Sequence, residues 1–369
     1  MLRNRLKFLF VVGARPNFMK VAPIMRAVDA CDPAIKQVLV HTGQHYDPMM
    51  SDVFFDELRL PKPDEHLGIS GGTQAQQTAR IMLAFEPVLM NHQPDWLIVV
   101  GDVTSTLACA LTAAKLEIPI AHVEAGLRSG DRSMPEEINR IVVDSIADLL
   151  LTPSSDADTN LINESVPRNK IKCVGNVMID SLVESLPILS EQTIVRDLGL
   201  TAEEYVLATL HRPGNVDDPS MLGELIDALG QIAADIPVVF PVHPRTRRRL
   251  NELGIVPDPK IQMLEPRGYF EFMALVQSAA TVITDSGGIQ EETTYLGVPC
   301  LTVRPNTERP ITITEGTNRL VKPGRESLLD AWQDLQATPP QKQCPALWDG
   351  QASQRIAQAL LKASPIRVK

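Results

Sequence analysis

The sequence predicts an α/β protein built from two doubly wound parallel sheets. Short apolar runs, each long enough for one buried strand, recur along the chain and alternate with longer stretches of helical period. Such alternation is typical of strand–helix–strand units with parallel pairing. It starts again in the second half, and 369 residues are enough for two ordinary domains. We therefore expect two Rossmann-like domains with a ligand cleft between them.

Six apolar runs predict the strands of the first sheet. They are FLFVV near residue 8, QVLVHT near 37, WLIVV near 96, IPIAHV near 118, LLLTP near 149 and IKCVG near 171. The first follows basic residues, but it is too short for the apolar core of a signal peptide, so we interpret it as a strand. No run approaches the roughly 20 apolar residues that a membrane-spanning helix requires, so we expect no membrane partner.

Five more runs predict the second sheet. They are YVLAT near 205, PVVFPVH near 237, IQML near 261, TVITD near 281 and PCLTV near 299. We place the boundary just after VGN, which gives an N-terminal domain over residues 1–176 and a nucleotide-binding C-terminal domain over residues 177–350. The stretch QASQRIAQALLKA, after residue 350, has the pattern of one more helix.

Charge and cysteine content exclude several classes of function. The formal net charge of -10 at pH 7 argues against a nucleic-acid partner. The basic cluster RTRRR at 245–249 lies where a helix is predicted to begin, and we interpret it as a solvated helix face. The 5 cysteines are scattered and odd in number, which suggests neither a disulfide framework nor a metal site and fits a reducing cytoplasm.

Two predicted strands run into glycine turns that could bind an anion. The turn GARP at 13–16 leads into a helix, where free backbone N–H groups and the Arg15 guanidinium could meet phosphate oxygens. A tight turn before a helix-starting proline is the alternative. In DSGG at 285–288, two glycines would let the backbone approach phosphate, and the Ser286 hydroxyl could donate. A simple capped helix is the alternative there.

Candidate acid/base residues follow the ends of predicted strands. Asp102 comes after WLIVVG and Glu124 after IPIAHV, so both are expected to point into the ligand crevice. Glu136 and Glu137 follow a proline at a predicted helix start, where acids favour the helix dipole without any catalytic purpose. Both interpretations stay open for Glu136, and the structural one is favoured for Glu137. His211 follows the strand YVLAT, and a structural histidine is the alternative to a catalytic one.

Several motifs, in one order along most of the chain, resemble the non-hydrolysing UDP-N-acetylglucosamine 2-epimerases. They are GARPNFMK at 13, HTGQH at 41, GD at 101, HVEAGLRSGDRSMPEEINR at 122–140, LHRPGN at 210, TDSGGIQEE at 284 and TERP at 307. The resemblance implies a glycosyltransferase-B type fold in which the last helix, about 351–369, packs back on the first domain. It also implies a cytoplasmic homodimer whose substrate is a UDP-sugar.

The resemblance assigns roles residue by residue. Its catalytic residues are Asp102, Glu124, Glu136 and His211, with His211 assisting at the leaving phosphate. Its substrate-binding residues are Arg15, Lys20, Arg128, Ser286, Gly287, Gly288 and Glu292, where Glu292 accepts hydrogen bonds from the ribose hydroxyls. A structural salt bridge is an equal alternative for Arg128. Many relatives have Glu where this chain has Asn17, and many read GDT and HRREN where this chain reads GDV and HRPGN.

The implied reaction is reversible C2 epimerisation of UDP-N-acetylglucosamine to UDP-N-acetylmannosamine, for surface polysaccharide synthesis. The C2 hydrogen is not next to a carbonyl carbon, so simple deprotonation would face a prohibitive barrier. Departure of UDP from C1 while the C2 proton is removed gives 2-acetamidoglucal, and re-addition with protonation of the opposite face gives the epimer. This chemistry requires proton-exchanging groups on both sugar faces and stabilisation of the leaving diphosphate, but no cofactor and no metal.

Other interpretations stay open. HTGQHYD and GISGGT also resemble the branch that acts on UDP-2,3-diacetamido-2,3-dideoxy-glucuronic acid, and hydrolysing relatives release UDP and free N-acetylmannosamine. A glycosyltransferase would share the fold without needing three carboxylates, and a non-catalytic nucleotide-sugar sensor would show no proton exchange. Gln44 and His243 match parts of a surface where some bacterial members bind an activating second substrate molecule, although GISGGTQAQQTA replaces the longer polar pattern found there.

Overall fold

The computed structural model describes residues 6–43 and 60–363, apart from the side chain of Arg15. The chain divides into two compact units: unit 1 comprises Met1–Ser181 with Ala346–Lys369, and unit 2 comprises Leu182–Pro345. Each unit contains a parallel sheet flanked by helices, which confirms the predicted fold class. The predicted domain limits, after residue 176 and at residue 350, fall a few residues away from these divisions and stay predictions.

The described residues of unit 1 form a seven-stranded sheet in the order β3-β2-β1-β4-β5-β6-β7. The strands are β1 (Lys7–Val12), β2 (Lys36–His41), β3 (Glu65–His66), β4 (Trp96–Val100), β5 (Ile120–Val123), β6 (Leu149–Thr152) and β7 (Ile171–Cys173). Every neighbouring pair is parallel. The strand β3 was not predicted, because its two residues are polar and pair only at the edge of the sheet.

Helices cover the sheet of unit 1, which explains why its strands are apolar on both faces. They are α1 (Arg15–Cys31), α2 (Gln74–His92), α3 (Thr104–Lys115), α4 (Pro135–Ile146) and α5 (Ser155–Asn163), with a 3₁₀ turn at Arg168–Lys170. The next helix, α6 (Val177–Ser190), begins in unit 1 and ends in unit 2. Along β1, Leu9 and Val11 join a core with residues of α2 and α3. Phe8 and Phe10 alternate with them and are also buried.

Unit 2 repeats this architecture with six strands in the order β10-β9-β8-β11-β12-β13. The strands are β8 (Val206–Thr209), β9 (Val238–Pro241), β10 (Ile261–Leu264), β11 (Thr281–Thr284), β12 (Cys300–Val303) and β13 (Asn318–Val321). The helices are α7 (Ile194–Asp197), α8 (Pro213–Val216), α9 (Pro219–Ile232), α10 (Pro244–Leu253), α11 (Tyr269–Gln277), α12 (Gly287–Leu296), α13 (Ile311–Thr314) and α14 (Arg325–Ala337). The strand β13 was not predicted, because NRLV contains no continuous apolar run.

The last helix, α15 (Ala352–Lys362), belongs to unit 1 and packs against α1. Its buried face includes Ile356 and Leu360. Asp180 caps its first turn, since its carboxylate accepts from the backbone N–H groups of Ala352 at 3.1 Å and Ser353 at 2.7 Å. An acid at a helix N-terminus satisfies free donors and interacts favourably with the helix dipole.

Parallel pairing brings the carboxyl ends of all strands in a sheet to one edge. In unit 1 this edge carries the residues that follow β1, β4 and β5, namely Gly13, Gly101 and Glu124. In unit 2 it carries His211 after β8 and Asp285 after β11. No helix within residues 6–43 and 60–363 has both the length and the apolar composition needed to cross a bilayer.

Candidate active site

The turn after β1 is shaped by close packing around Gly13. A Cβ atom at this position would lie 2.1 Å from Oγ of Ser105 and 2.6 Å from Oγ1 of Thr42, so only glycine fits. These two hydroxyls are themselves hydrogen-bonded at 2.7 Å in the core of the unit. The glycine is therefore required for packing, whatever the turn binds.

Asn17 occupies donors of the same turn that were expected to be free. Its Oδ1 atom accepts from the backbone N–H groups of Gly13 at 3.2 Å and Ala14 at 3.0 Å, and its Nδ2 donates to the carbonyl of Val100 at 3.0 Å. The expectation of free N–H groups is wrong for Gly13 and Ala14, because the short side chain of Asn17 folds back on the turn. The side chain of Arg15 lies outside the described residues.

Glu124 directly follows β5 and forms a buried ion pair with Lys20 of α1. Its backbone is left-handed, with φ of 69°, an uncommon conformation for a residue other than glycine. Its N–H donates to the carbonyl of Leu151, in the neighbouring strand β6, at 3.0 Å. The structure thus brings together one predicted acid and one predicted substrate-binding cation.

Asp102, after β4, is ion-paired with Arg140 of α4. The guanidinium is only 1% exposed, and it also binds Glu137 at 2.8 Å. The Asp102 side chain keeps 25% exposure. Arg140 is a site residue that sequence reasoning missed, although its spacing of one helical turn from Glu137 is a usable signal.

The two acids at the start of α4 have different environments. Glu137 is buried and accepts from the N–H groups of Ser129 at 3.0 Å and Gly130 at 2.9 Å. Burial raises the pKa of Glu137, but these bonds and Arg140 outweigh burial and lower it below the usual value. Glu136 is half-buried, and its carboxylate has no bonding partner in the described part of the chain. The geometry therefore favours the structural interpretation for Glu137 and leaves Glu136 available for chemistry.

Arg128, which follows the Glu124 turn, forms ion pairs with two carboxylates. It binds Glu164 through two nitrogens at 2.7 and 2.6 Å and Asp144 at 2.7 Å. Burial lowers the pKa of Arg128, but the bonds to Glu164 and the charge of Asp144 outweigh it, so the pKa is raised. This arrangement favours the structural salt bridge over a substrate contact.

In unit 2, the buried carboxylate of Asp285 organises the loop after β8. It accepts from the backbone N–H groups of His211 and Arg212, and from Nδ2 of Asn215 at 3.1 Å. Its Oδ1 atom lies 2.8 Å from Nδ1 of His211. Burial raises the pKa of Asp285, but the hydrogen bond and charge of His211 outweigh burial, and the pKa falls below its usual value.

The Asp285 contact fixes which nitrogen of His211 is available. Because an ionised carboxylate only accepts, Nδ1 carries the proton, and Nε2 bonds to no described residue. This geometry is that of a histidine held by an acid for work at its outer nitrogen. Sequence reasoning missed Asp285 as a site residue, although an acid placed directly after the strand TVIT was a visible signal.

Ser286 and the two glycines after it begin α12. Ser286 is the N-cap, and its hydroxyl makes no capping bond to the helix. A Cβ at Gly287 would lie 2.9 Å from Oε1 of Glu308 and 3.0 Å from Nη1 of Arg309, whereas one at Gly288 would meet nothing within 4 Å. A side chain at Gly287 would therefore displace the ends of Glu308 and Arg309, whereas the surface over Gly288 is open.

Ion pairs lie beneath this helix start. Arg309 contacts Glu291 at 2.7 Å and also pairs with Glu308, which binds Arg304 at 2.9 Å. Burial raises the pKa of Glu308, but the two arginines outweigh it and hold the pKa far below its usual value. Burial and the neighbouring Arg304 lower the pKa of Arg212. Arginines therefore lie near the start of α12, but Arg304 and Arg309 are already paired with acids.

The remaining predicted residues lie in different settings. Glu292 is buried in α12 and accepts from the hydroxyl of Tyr269 at 3.1 Å. His243 caps α10 by accepting from the N–H of Arg245 at 3.2 Å, and its ring centroid lies 5.6 Å from that of His211. Gln44 lies outside the described residues. Among those that are described, no cluster of three His, Cys, Asp or Glu side chains could hold a metal ion.

Comparisons with known proteins agree on one family. The family model described as UDP-N-acetylglucosamine 2-epimerase matches residues 29–361. The UDP-2,3-diacetamido-2,3-dideoxy-D-glucuronate 2-epimerase of Pseudomonas aeruginosa is 42% identical to this chain, covering 97% of it and 100% of the relative. The UDP-N-acetylglucosamine 2-epimerase of Methanocaldococcus jannaschii is also 42% identical, covering 88% of this chain and 91% of the relative.

Solved structures give the same result. The M. jannaschii UDP-GlcNAc 2-epimerase in complex with UDP-GlcNAc and UDP has a TM-score of 0.88 at 40% identity, covering 96% of this chain and 99% of that one. The Neisseria meningitidis UDP-GlcNAc 2-epimerase bound to UDP-GlcNAc has a TM-score of 0.88 at 30% identity, covering 97% and 100%. The chain therefore belongs to the non-hydrolysing UDP-N-acetylglucosamine 2-epimerase family, as its motifs predicted.

Proposed function

We propose that the protein catalyses the reversible C2 epimerisation of UDP-N-acetylglucosamine to UDP-N-acetylmannosamine. The observation that supports this most strongly is the carboxylate set at the strand ends of unit 1. Asp102 and Glu124 are each paired with one cation, while Glu136 has no partner among the described residues. Such a set suits a reaction in which one face of a sugar gives up a proton and the other receives one.

The reaction proceeds by elimination and re-addition. A carboxylate takes the C2 proton while the bond from C1 to the diphosphate oxygen breaks, which leaves a double bond between C1 and C2 and free UDP. UDP then adds back at C1 while another group delivers a proton to the opposite face of C2. Atoms and charges balance without a redox step, because the eliminated UDP is the group that returns.

The proton roles follow from the ion pairs. A neighbouring cation favours the ionised carboxylate that can accept a proton, and Glu124 and Asp102 each have one in Lys20 and Arg140. Glu136 has none among the described residues, so we assign to it the delivery of a proton to the opposite face. Lys20 then acts through Glu124 rather than on the phosphates.

Unit 2 supplies the nucleotide binding in this proposal. Nε2 of His211 faces the leaving diphosphate and, when both ring nitrogens are protonated, donates to it, while Asp285 accepts from Nδ1–H. The free hydroxyl of Ser286 and the open backbone at Gly288 accommodate phosphate at the start of α12. The carboxylate of Glu292 accepts hydrogen bonds from the ribose hydroxyls.

The diacetamido-glucuronic acid derivative is the alternative substrate, because the P. aeruginosa relative is named for it. A uronic acid brings one further carboxylate, which requires a cation in the sugar site. Three cations described around the strand ends of unit 1, Lys20, Arg128 and Arg140, are each bound to acids already. This pairing favours the neutral N-acetylated sugar.

We also propose the cytoplasmic homodimer and the role in polysaccharide precursor synthesis. Four of the cysteines, namely Cys31, Cys109, Cys173 and Cys300, are free thiols, which suits a reducing compartment. Leu83 and Met90 lie two helical turns apart on α2 and are 73% and 62% exposed, an apolar pair that a second copy could cover.

Product analysis tests the substrate and the reaction together. The purified protein is incubated with each UDP-sugar in turn, and the products are separated by anion exchange and identified by NMR. We expect UDP-N-acetylmannosamine from UDP-N-acetylglucosamine and little conversion of the uronic acid derivative. Free N-acetylmannosamine would indicate hydrolysis instead, and binding of both sugars without any product would favour a sensor or a transferase.

A further inference from the structure

A buried histidine connects the two carboxylate loops of unit 1. His122 lies in β5, and its side chain is fully enclosed. Its Nε2 atom is 2.9 Å from the carbonyl oxygen of Gly101, the residue before Asp102. Its Nδ1 atom is 2.7 Å from Oδ1 of Asp144 in α4. One ring therefore spans from the backbone beside Asp102 to an acid on a neighbouring helix.

Both ring nitrogens of His122 face oxygen acceptors. A carbonyl can only accept a hydrogen bond, so Nε2 must carry a proton. Asp144 is an acceptor too: burial raises its pKa, but His122 and Arg128 outweigh burial and hold the pKa below its usual value. Nδ1 therefore also faces an acceptor, so both ring nitrogens donate in this arrangement.

The second oxygen of Asp144 holds the turn that follows Glu124. Oδ2 accepts from the backbone N–H of Gly126 at 3.0 Å and from Nη1 of Arg128 at 2.7 Å. The left-handed backbone of Glu124 costs about 1 kcal/mol or more and persists only where surrounding contacts enforce it. Asp144 supplies such contacts two residues further along the chain.

The backbone around Asp102 is also held in place by hydrogen bonds from side chains. Three successive carbonyls, from Val100 to Asp102, accept hydrogen bonds from side chains. The donors are Asn17 and Thr106 to Val100, His122 to Gly101, and Asn139 to Asp102, at distances of 2.8 to 3.0 Å. Among these donors, His122 is the one that is also tied to the Glu124 turn.

We propose that His122 is a positioning residue that fixes the positions of Asp102 and Glu124 relative to each other. It acts on Asp102 through the Gly101 carbonyl and on Glu124 through Asp144. The inference rests on the proposed epimerase activity, in which these two acids exchange protons with the sugar. Because both loops are fixed by one ring, a change at His122 disturbs the relation between the acids rather than either acid alone.

Two substitutions separate the two contacts of the ring. The amide nitrogen of Asn matches the position of Nδ1, so His122→Asn keeps the bond to Asp144 and loses the bond to Gly101. The amide nitrogen of Gln matches Nε2, so His122→Gln does the reverse. His92→Gln is the matched control, since His92 is a half-buried histidine of unit 1 paired with Glu65 at 2.9 Å.

The readout is the fate of deuterium at C2 in deuterated water. Both His122 variants should lower kcat by about tenfold to a hundredfold with little change in KM, because misplacement of catalytic groups by about 1 Å can cost up to about a hundredfold. The ratio of deuterium in recovered substrate to deuterium in the epimer should shift from the parent value in both variants, because the displaced acids no longer match proton delivery by Glu136 to the opposite face. His92→Gln should keep the parent kcat and ratio.

Specific results would overturn the positioning role. A lower kcat with an unchanged ratio in both variants would mean that His122 supports the fold only. Should the variants not fold, the ¹⁵N spectrum of the labelled parent protein decides, since an unprotonated ring nitrogen at pH 7 contradicts the two-sided contact. A parent protein that binds UDP but exchanges no C2 proton would overturn the proposed function instead.

Discussion

Units 1 and 2 share one architecture but organise their strand ends by different means. In unit 1 the acids after β4 and β5 are held by buried side-chain ion pairs, Asp102 with Arg140 and Glu124 with Lys20. In unit 2 an acid, Asp285, holds backbone N–H groups and a histidine, beside a helix start with open backbone. The first arrangement suits proton transfer to carbon, and the second suits binding of an anion. Both units use the same kind of sheet, and the residues of the loops at its strand ends determine the chemistry of each unit.

The largest expected effect comes from removing the proton-transfer groups of unit 1. Asp102→Asn and Glu124→Gln should each lower kcat about a thousandfold, because general acid–base groups contribute roughly 10²- to 10⁴-fold. The affinity for UDP, measured by calorimetry, should stay at the parent value, since unit 2 is unchanged. Glu86→Gln, at an exposed position of α2, is the control. A variant with weakened UDP affinity and the parent kcat would contradict the proposal that unit 1 transfers the proton and unit 2 binds the nucleotide.

The next effect concerns the acid of unit 2. Asp285→Asn should lower kcat about a hundredfold, because a neutral amide supports the His211 ring as a donor less well than the carboxylate does. It should also reduce the free energy of unfolding by about 1.5 to 3 kcal/mol, since bonds from two backbone N–H groups to a charged acceptor are weakened.

A double variant tests whether Asp285 and His211 act as a unit. We expect His211→Ala with Asp285→Asn to have the same kcat as His211→Ala alone, because groups that act together are not additive. Losses that multiply in the double variant would mean that Asp285 acts on the reaction by another route.

A smaller effect should come from the proposed ribose contact. Glu292→Gln should weaken UDP binding about tenfold, equivalent to about 1.4 kcal/mol. The parent should prefer UDP over 2′-deoxy-UDP, and the variant should bind both equally in titration calorimetry. Tyr269→Phe removes the 3.1 Å bond to Glu292 and should keep the preference. An undiminished preference for UDP in Glu292→Gln would exclude this role.

The smallest effect distinguishes the units by their response to acid. Burial and the neighbouring His66 lower the pKa of His41, in unit 1, to about 4 from 6.5. The unfolded chain then binds the proton more readily, so stability is complete above pH 6.5 and is lost as the pH falls toward 4. Between pH 7.5 and 5.5 the loss should be roughly 1 kcal/mol.

His41→Phe provides the matched comparison, since a phenyl ring can keep the stacking on Phe18 and His66 without titrating. Urea unfolding at the two pH values should show a smaller loss in the variant. Asp285 behaves differently, because its lowered pKa costs stability only once the pH falls below its usual 3.8. An equal loss in parent and variant would assign the acid sensitivity to other groups.

The fold was largely predictable from the sequence, because buried parallel strands leave continuous apolar runs such as WLIVV. The edge strands β3 and β13 contain no continuous apolar run and were missed for that reason. Strand-end positions also predicted Asp102, Glu124 and His211 as candidates. Their partners were not predictable, because tertiary contacts join distant positions: Arg140 lies 38 residues from Asp102, and Asp285 lies 74 from His211.

One residue shows how a motif can be matched while its detail differs. GARPN predicted free backbone donors at a helix start, but the Asn17 side chain accepts from the N–H groups of Gly13 and Ala14. Asparagine is short enough to fold back on its own turn, a local interaction that the glycine pattern alone does not reveal.

The most direct test of the account is proton NMR of the purified protein with UDP-N-acetylglucosamine in deuterated water, without added metal or cofactor. We expect deuterium at C2 together with signals of UDP-N-acetylmannosamine, and loss of both in Glu124→Gln while UDP still binds. Epimer that retains the original C2 proton, or parent-level exchange in Glu124→Gln, would contradict proton transfer by the acids of unit 1.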